Sequence, residues 1–170
     1  MAKELNTDKT LDEVAAQYAG GEWGFTGTRA GMKAFQVLIT RRALQQGQPL
    51  VFRHGGAFGS DFSAHALCRE TNPDGLIEVW PADRKRVSLF AGQPSVVIKP
   101  LMDPLNRNKE IAKRSEFIIA TPHTEKEELR SGTWATIRDA MREAKPVLII
   151  WPASHLITFH LGHTLYRVTT

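Results

Sequence analysis

The sequence has 170 residues, of which 42% are hydrophobic and 24% charged, and these values are typical of one compact domain. Its formal net charge of +4 is small, and basic residues are interspersed with acidic ones, which argues against a protein that coats a polyanion. Residues 1–10 are polar, no stretch reaches the roughly 20 apolar residues that cross a bilayer, and Cys68 is the only cysteine. We therefore expect a cytoplasmic protein without disulfides or membrane segments.

The first half of the chain alternates predicted helices and strands. Thr10 and Glu13 have the spacing of a capping box, which predicts a helix over residues 10–18 that ends at Gly20 and Gly21. Apolar periodicity and glycine-containing turns predict the elements that follow. These are a strand over 23–26, a helix over 32–46, a strand over 49–53, a helix over 60–71 and a strand over 76–80.

The second half begins with a polar, proline-containing stretch over residues 81–104, whose length is typical of a functional loop. Pro104 suits the first turn of a helix, and Ser131 suits a helix N-cap. The predicted elements are a helix over 104–114, a strand over 116–120, a helix over 132–144, a strand over 146–151 and a C-terminal hairpin over 155–168.

This alternation predicts an α/β fold, namely a Rossmann-like, mostly parallel sheet of five strands flanked by helices on both faces. Ligands of such sheets bind beyond the carboxyl ends of the strands. Three loops rich in Gly, Ser, Thr and Arg are predicted at that edge, over residues 24–29, 54–61 and 129–134.

Small residues in these loops allow a phosphate to approach the backbone, where free amides at a helix start attract it. For any one loop, glycines that only permit a tight turn are the simpler explanation, but three such loops at one edge favour an anion site. Residues 55–59 match neither the dinucleotide fingerprint nor, because no Gly-Lys-Ser/Thr follows, a P-loop. A dehydrogenase and a Walker ATPase are therefore disfavoured.

Four motifs, GFTGTR, RHGGAFGSDFSAHALC, PLNRNKEIAKRSEFIIATP and EELRSGTWATIRDAMREAKPVLII, occur in this order. Together they resemble the SLOG superfamily of Rossmann-like nucleotide-binding domains, which takes in the Lonely Guy phosphoribohydrolases and the DNA processing protein A family. The resemblance covers residues 23–151, and it is nearest to small single-domain members of bacteria and their viruses. It implies one nucleotide-binding domain over residues 1–170, with a helix over 10–18 before this core.

The resemblance also implies how a nucleotide is bound. Ser131, Gly132 and Thr133 would cradle its phosphate at a helix start. The base or ribose would meet the other two loops, whose candidate ligand-binding residues are Gly27, Thr28, Arg29, His54, Gly55, Gly56 and Gly59. Arg29 and Arg107 are also candidates to bind a phosphate, each with a forked pair of hydrogen bonds, and the alternative role for such an arginine is a solvated surface charge. For His54 the alternative is a hydrogen-bonded support.

The activity of the Lonely Guy enzymes depends on an Arg on the preceding helix and on a Glu three residues after the Thr of a Gly-Thr motif. Arg107 matches the Arg, but Thr136 stands where the Glu would be. A Thr supplies neither a charge for an oxocarbenium-like transition state nor a base. The candidate carboxylates to replace it are Asp61, Asp103, Glu127 and Glu128. The catalytic candidates are Arg107, Asp61 and Glu128, with helix capping as the alternative role of Asp61.

Other residues that often carry chemistry give weaker signals. His155, His160 and His163 lack acidic or cysteine companions in a metal-binding order, so we predict no metal site and no cofactor. The tryptophans, Trp23, Trp80, Trp134 and Trp151, lie near predicted strand ends or helix starts. One of them would stack a base, with core packing favoured for Trp23 and Trp151.

The leading hypothesis is a protein that binds a nucleotide or a nucleotide-derived signalling molecule. The enzyme alternative is a nucleoside-monophosphate N-glycosidase that uses a carboxylate other than the missing Glu. Single-stranded DNA binding is a third hypothesis, against which the modest charge argues. The superfamily resemblance further implies a homo-oligomer.

Overall fold

The structure, a computed structural model, describes residues 5–170. Over these residues the chain forms one sheet of nine strands in the order β1-β9-β8-β7-β6-β2-β3-β4-β5. The strands are β1 (Leu5–Thr10), β2 (Glu22–Gly27), β3 (Val51–His54), β4 (Leu76–Val79), β5 (Val96–Ile98), β6 (Phe117–Thr121), β7 (Val147–Ile150), β8 (Ile157–Leu161) and β9 (Thr164–Thr169). The helices are α1 (Leu11–Gln17), α2 (Ala34–Gly47), α3 (Ser60–Thr71), α4 (Arg84–Val87), α5 (Pro104–Arg114) and α6 (Gly132–Arg142).

The sheet is mostly parallel and carries helices on both faces, as predicted. Strands β2 to β7 pair in parallel, whereas β8 is antiparallel to both β7 and β9. One hydrophobic core lies under α1, α2 and α3, and a second lies under α5 and α6. The layers therefore follow the α/β/α arrangement of a Rossmann-like fold.

The predicted helices are confirmed, and two of them, α3 and α5, have the predicted bounds. Local capping explains this agreement. The Thr10 and Glu13 capping box forms at the start of α1, Asp103 caps α5 just before Pro104, and the Ser131 side chain accepts a hydrogen bond from a first-turn amide of α6. Each cap satisfies amides that a helix leaves free at its start.

The prediction of five core strands was incomplete, and so was that of one long loop over residues 81–104. That stretch contains the short helix α4 and the edge strand β5. Residues 5–10 form β1, which pairs in parallel with the last strand of the chain. The first four of the polar residues 1–10 lie outside the described residues. Strands this short or this distant from their partners depend on tertiary pairing more than on local sequence.

The chain order of the strands sets the position of the site. From β2 the chain moves outward through β3, β4 and β5, and then returns to place β6 on the other side of β2. The order therefore reverses between β2 and β6, where Gly27 pairs with Thr121. In open α/β sheets such a reversal opens a crevice at the carboxyl ends of the strands. Among the residues described, no helix is long and apolar enough to cross a membrane.

Candidate functional site

A pocket of about 460 Å³ lies at this reversal, within the size range of small-molecule sites. Its walls come from the carboxyl end of β2, the loop after β3, the first half of α5, the loop after β6 and the start of α6. It is lined by Phe25, Thr26, Gly27, Thr28, Arg29, Gly55, Ala57, Asp61, Pro104, Arg107, Asn108, Ile111, His123, Glu128, Arg130, Ser131, Gly132, Thr133 and Thr136. The three loops that were expected at one edge of the sheet therefore contribute to one pocket.

The start of α6 presents free backbone donors to the pocket. Ser131 accepts from the amides of Trp134 and Ala135, whereas the amides of Gly132 and Thr133 have no hydrogen-bond partner among the described residues. The Thr133 side chain is 94% buried, since its exposed fraction is 6%, and its hydroxyl also lacks a partner in this part of the chain. A helix start with free amides is a favourable position for an anion.

Arg107 reaches the same pocket from α5. Its Nη1 donates to the carbonyl oxygens of Gly55 at 2.8 Å and Trp80 at 3.2 Å, and its Nε donates to Asn108 Oδ1 at 2.9 Å. The other terminal nitrogen, Nη2, makes no hydrogen bond to any described residue. Burial lowers the pKa of Arg107, an effect that the nearby Asp61 carboxylate opposes. The guanidinium is thus held by the protein on one side and open to a ligand on the other.

Asp61 lies in the first turn of α3 but does not cap this helix, whose N-cap is Gly59. Its Oδ2 instead accepts from the amides of Gly55 and Ala57, both at 3.1 Å, while Oδ1 has no hydrogen-bond partner among the described residues. Burial raises the pKa of Asp61 to about 6, although Arg107 and the two amides lower it. A carboxyl group with such a pKa is able to exchange a proton near neutral pH.

The other candidate carboxylates have separate positions. Asp103 accepts from the Leu105 and Asn106 amides and so caps α5. Glu127 pairs with Arg138 at 2.8 Å and does not line the pocket. Glu128 does line it. Of the four carboxylates considered from the sequence, only Asp61 and Glu128 therefore lie where they can touch a ligand in the pocket.

Thr136 lies one turn into α6 and lines the pocket. Its hydroxyl donates to the Gly132 carbonyl oxygen at 3.1 Å, so its polar atom is used within the helix. The position therefore faces the pocket without contributing an acid or a base.

Three predicted ligand-binding residues do not line the pocket: His54, Gly56 and Gly59. His54 is fully buried, where it accepts from the Gly56 amide and pairs with His65. Gly56 and Gly59 have φ values of +65° and +79°, and a Cβ at Gly59 would collide with the Arg29 backbone. These residues therefore fix the conformation of the loop after β3 and do not line the pocket themselves.

Several pocket residues were not singled out from the sequence. Asn108 accepts from Arg107 and donates weakly to the Gly132 carbonyl oxygen at 3.4 Å, so it links two walls of the pocket. His123 follows β6, and its place just after a buried strand was a signal that could have identified it. Thr26 and Arg130 lie within or beside the recognised loops and also line the pocket.

The remaining candidates lie elsewhere. None of the four tryptophans lines the pocket. Trp23 is fully buried at the opposite end of β2, and Trp134 packs against Trp151 with ring centroids 5.8 Å apart. Across residues 5–170 no group of three or more His, Cys, Asp or Glu side chains is arranged to hold a metal ion.

Solved structures that are similar to this chain include the following two. DNA processing protein A from Streptococcus pneumoniae is 23% identical, with a TM-score of 0.57 over 79% of this chain and 51% of that chain. TM1055, a structural-genomics target, is 19% identical, with a TM-score of 0.52 over 75% of this chain and 72% of that chain. This chain thus spans about half the length of the first protein. No family model and no curated protein matches the sequence.

Proposed function

We propose that this chain, whose fold is that of an SLOG-type Rossmann domain, binds a nucleotide or a nucleotide-derived signalling molecule. The two structural likenesses confirm the fold that the sequence motifs predict. One observation supports the binding proposal most directly. Unpartnered polar atoms of Asp61, Arg107 and Thr133 and two unpartnered helix amides converge on one pocket. The protein's own hydrogen bonds do not use these atoms and the pocket leaves them accessible, so they are available to a ligand.

In this proposal Ser131, Gly132 and Thr133 hold a phosphate at the start of α6. Arg107 contacts the part of the ligand next to the phosphate through its free Nη2 from α5. The sugar and base lie toward Gly27, Thr28, Arg29 and the loop after β3, in which Gly55 lines the pocket, while His54, Gly56 and Gly59 keep that loop in shape.

The experiment that tests this proposal is calorimetric binding of a panel of nucleoside 5′-phosphates to wild type and to Gly132→Asp. A Cβ at Gly132 would meet no atom closer than 4.0 Å, so the fold accommodates a side chain there. A carboxylate next to the free amides repels phosphate, and we expect binding to be lost. Gly132→Ala is the matched control, since it adds a side chain without a charge. Unchanged affinity of Gly132→Asp would remove the start of α6 from the site.

A second candidate function is that of a nucleoside-monophosphate N-glycosidase. The observation that favours it is the free Oδ1 of Asp61 beside Arg107, together with a pKa raised to about 6 by burial. Asp61, or Glu128 in the loop after β6, would then take the role of the missing Glu. Release of free base from the nucleotide panel distinguishes this enzyme from a protein that only binds.

Single-stranded DNA binding is the third proposal and rests on the likeness to DNA processing protein A. A short single-stranded oligonucleotide in the same calorimeter tests it. If that oligonucleotide binds more tightly than every mononucleotide, and Gly132→Asp does not weaken it, the nucleotide proposal is wrong.

We also propose a bacterial or phage origin and a homo-oligomeric state, which follow from the sequence resemblance, and a cytoplasmic location, which follows from the composition of the sequence. Burial raises the pKa of the Cys68 thiol to about 12, which suits an unreactive core residue. Sedimentation of the purified chain measures the oligomeric state directly.

A further inference from the structure

Asp61, like Glu128, is an acidic group in a pocket whose other charged groups attract anions. Three arginines line that pocket, Arg29, Arg107 and Arg130, together with the start of α6. A buried carboxylate there repels the phosphate for which these groups are suited. Asp61 must therefore face a part of the ligand that is neutral and donates hydrogen bonds.

Two polar atoms of this part of the pocket remain free, the hydrogen-bond acceptor Asp61 Oδ1 and the donor Arg107 Nη2. The Gly55 and Ala57 amides occupy Oδ2, both at 3.1 Å, so that Oδ1 remains available. Arg107 Nη1 is fixed by the Gly55 and Trp80 carbonyl oxygens, so that Nη2 remains available. A Cβ at Gly55 would collide with Arg107 Nη1 and come within 3.1 Å of Asp61 Oδ2. Only a glycine at this position leaves room for both groups.

A vicinal diol matches such a pair, because one hydroxyl donates to the carboxylate while a neighbouring hydroxyl oxygen accepts from the guanidinium. The phosphate position lies nearby, since the single side chain of Asn108 contacts both Arg107 Nε and the Gly132 carbonyl oxygen. A ribose is the part of a nucleotide that lies next to its 5′-phosphate.

We propose that Asp61 and Arg107 bind the 2′,3′-diol of a ribose and so make this pocket selective for ribonucleotides over 2′-deoxyribonucleotides. The proposal rests on the proposed nucleotide-binding function and names the ligand class of the same pocket. Asp61 and Arg107 act as specificity-determining residues, whereas the start of α6 supplies binding that is common to both kinds of nucleotide.

The charged groups near Asp61 give this selectivity a pH dependence. Arg107 on α5 and Arg86 on α4 favour its ionised form, as do the Gly55 and Ala57 amides, while burial disfavours it. Below about pH 6 the carboxyl group takes up a proton and becomes a weaker acceptor. The preference for ribose should therefore decrease as the pH falls from 7 to 5. The ratio of the two affinities reports this change, because an effect of His123 on phosphate binding influences both ligands.

The test is calorimetry with the ribonucleoside, 2′-deoxy and 3′-deoxy 5′-monophosphates of each base, at pH 7 and pH 5. For wild type at pH 7 we expect each deoxy ligand to bind about tenfold or more weakly than its ribose counterpart, whichever base it carries. In Asp61→Asn, whose amide oxygen still accepts from the loop, ribonucleotide affinity should fall to the deoxynucleotide value, with the latter changed less than about threefold. Glu127→Gln, outside the pocket, is the matched control.

The outcomes separate this inference from the proposed function. If wild type binds ribose and deoxyribose ligands equally, the ribose inference is wrong and the nucleotide site stands. If selectivity follows the base rather than the sugar, Asp61 contacts a base edge and the inference is again wrong. If Asp61→Asn weakens both ligands equally, Asp61 only holds the loop. If no nucleotide binds, both the proposed function and the inference fail. The wild-type comparison decides the question even if the variant folds poorly.

Discussion

At the scale of single residues, Asp61 destabilises the fold that contains it. Its pKa in the folded chain is about 6, whereas the ordinary value is 3.8, so the folded state binds a proton more tightly than the unfolded state does. Stability from this group is therefore present at low pH and is lost as the pH rises from about 4 to above 6. A shift of about two pKa units corresponds to roughly 3 kcal/mol at neutral pH.

We therefore expect Asp61→Asn to unfold with a free energy up to about 3 kcal/mol higher than that of wild type at pH 7, with the gain disappearing toward pH 4. The amide oxygen of Asn still accepts from Gly55 and Ala57, so the loop keeps its contacts. Urea denaturation at the two pH values measures the difference. A variant less stable than wild type at pH 7 would show that the ionised carboxylate contributes net stability to the loop.

His54 produces the opposite pH dependence. Its Nδ1 accepts from Gly56, and its ring pairs with His65, which in turn contacts Gln93. This chain of contacts is satisfied when both rings are neutral. Burial, with further contributions from His65 and Arg107, holds the pKa of His54 well below its ordinary value of 6.5. The unfolded state therefore binds the additional proton.

We expect the free energy of unfolding to decrease as the pH falls below about 6.5, because His54 is protonated only in the unfolded chain over that range. Asp61 has the opposite effect on the free energy of unfolding over this pH range. Urea denaturation should therefore be measured in the Asp61→Asn variant, in which Asp61 does not mask the pH dependence that His54 and His65 produce. A free energy of unfolding that stays constant between pH 7 and 5 in this variant would contradict the lowered pKa of His54.

At the scale of elements, α6 combines a start with free amides, where we propose a phosphate binds, with a position one turn further on that carries no acid or base. Position 136 is about four residues, or 6 Å, from Gly132 along the helix axis. Thr136 faces the pocket but binds the Gly132 carbonyl oxygen. A longer acidic side chain there would extend toward a ribose whose phosphate is held by the first-turn amides.

We expect wild type to release free base from nucleoside monophosphates slowly or not at all, and Thr136→Glu to increase that rate. The gain should require the Arg107 guanidinium, so the double variant with Arg107→Ala should return to the wild-type level. Chromatography of the released base over a monophosphate panel measures each rate, with Thr136→Gln as the uncharged control. Rapid wild-type turnover that survives Arg107→Ala would instead place catalysis at Asp61 or Glu128.

The elements predicted correctly are those whose signals are local. Pro104 and the residue before it define the start of α5, and Ser131 defines that of α6, because caps act within one turn. Strand β1 was missed because its partner, β9, lies at the other end of the sequence. The site was predicted at the level of loops. The sequence did not predict which residues of these loops face the pocket. His54 and Asp61 lie in the same loop region, and only side-chain packing directs His54 into the core and Asp61 toward the pocket.

At the scale of the whole molecule, the pocket lies where elements from both halves of the sheet meet. Its lining comes from both sides of the strand reversal, and Asn108 links α5 to α6 across it. A ligand that bridges α6, α5 and the loop after β3 therefore stabilises elements on both sides of the sheet's central pair, β2 and β6.

Ligand binding should consequently raise the stability of the whole fold rather than of one loop. A nucleotide that binds only the folded chain adds about 2.7 kcal/mol at a concentration 100 times its Kd, which corresponds to a rise in Tm of roughly 5–10 °C for a domain of this size. Differential scanning calorimetry with and without the tightest ligand of the panel measures this shift. Gly132→Asp should show no shift at the same concentration, whereas Gly132→Ala, which adds no charge, should retain it. Amide hydrogen exchange should slow at the start of α6 and in the loop after β3, because those amides contact the ligand. Protection confined to the surface around Phe35 and His155, where the second pocket lies, would instead place the nucleotide outside the strand reversal.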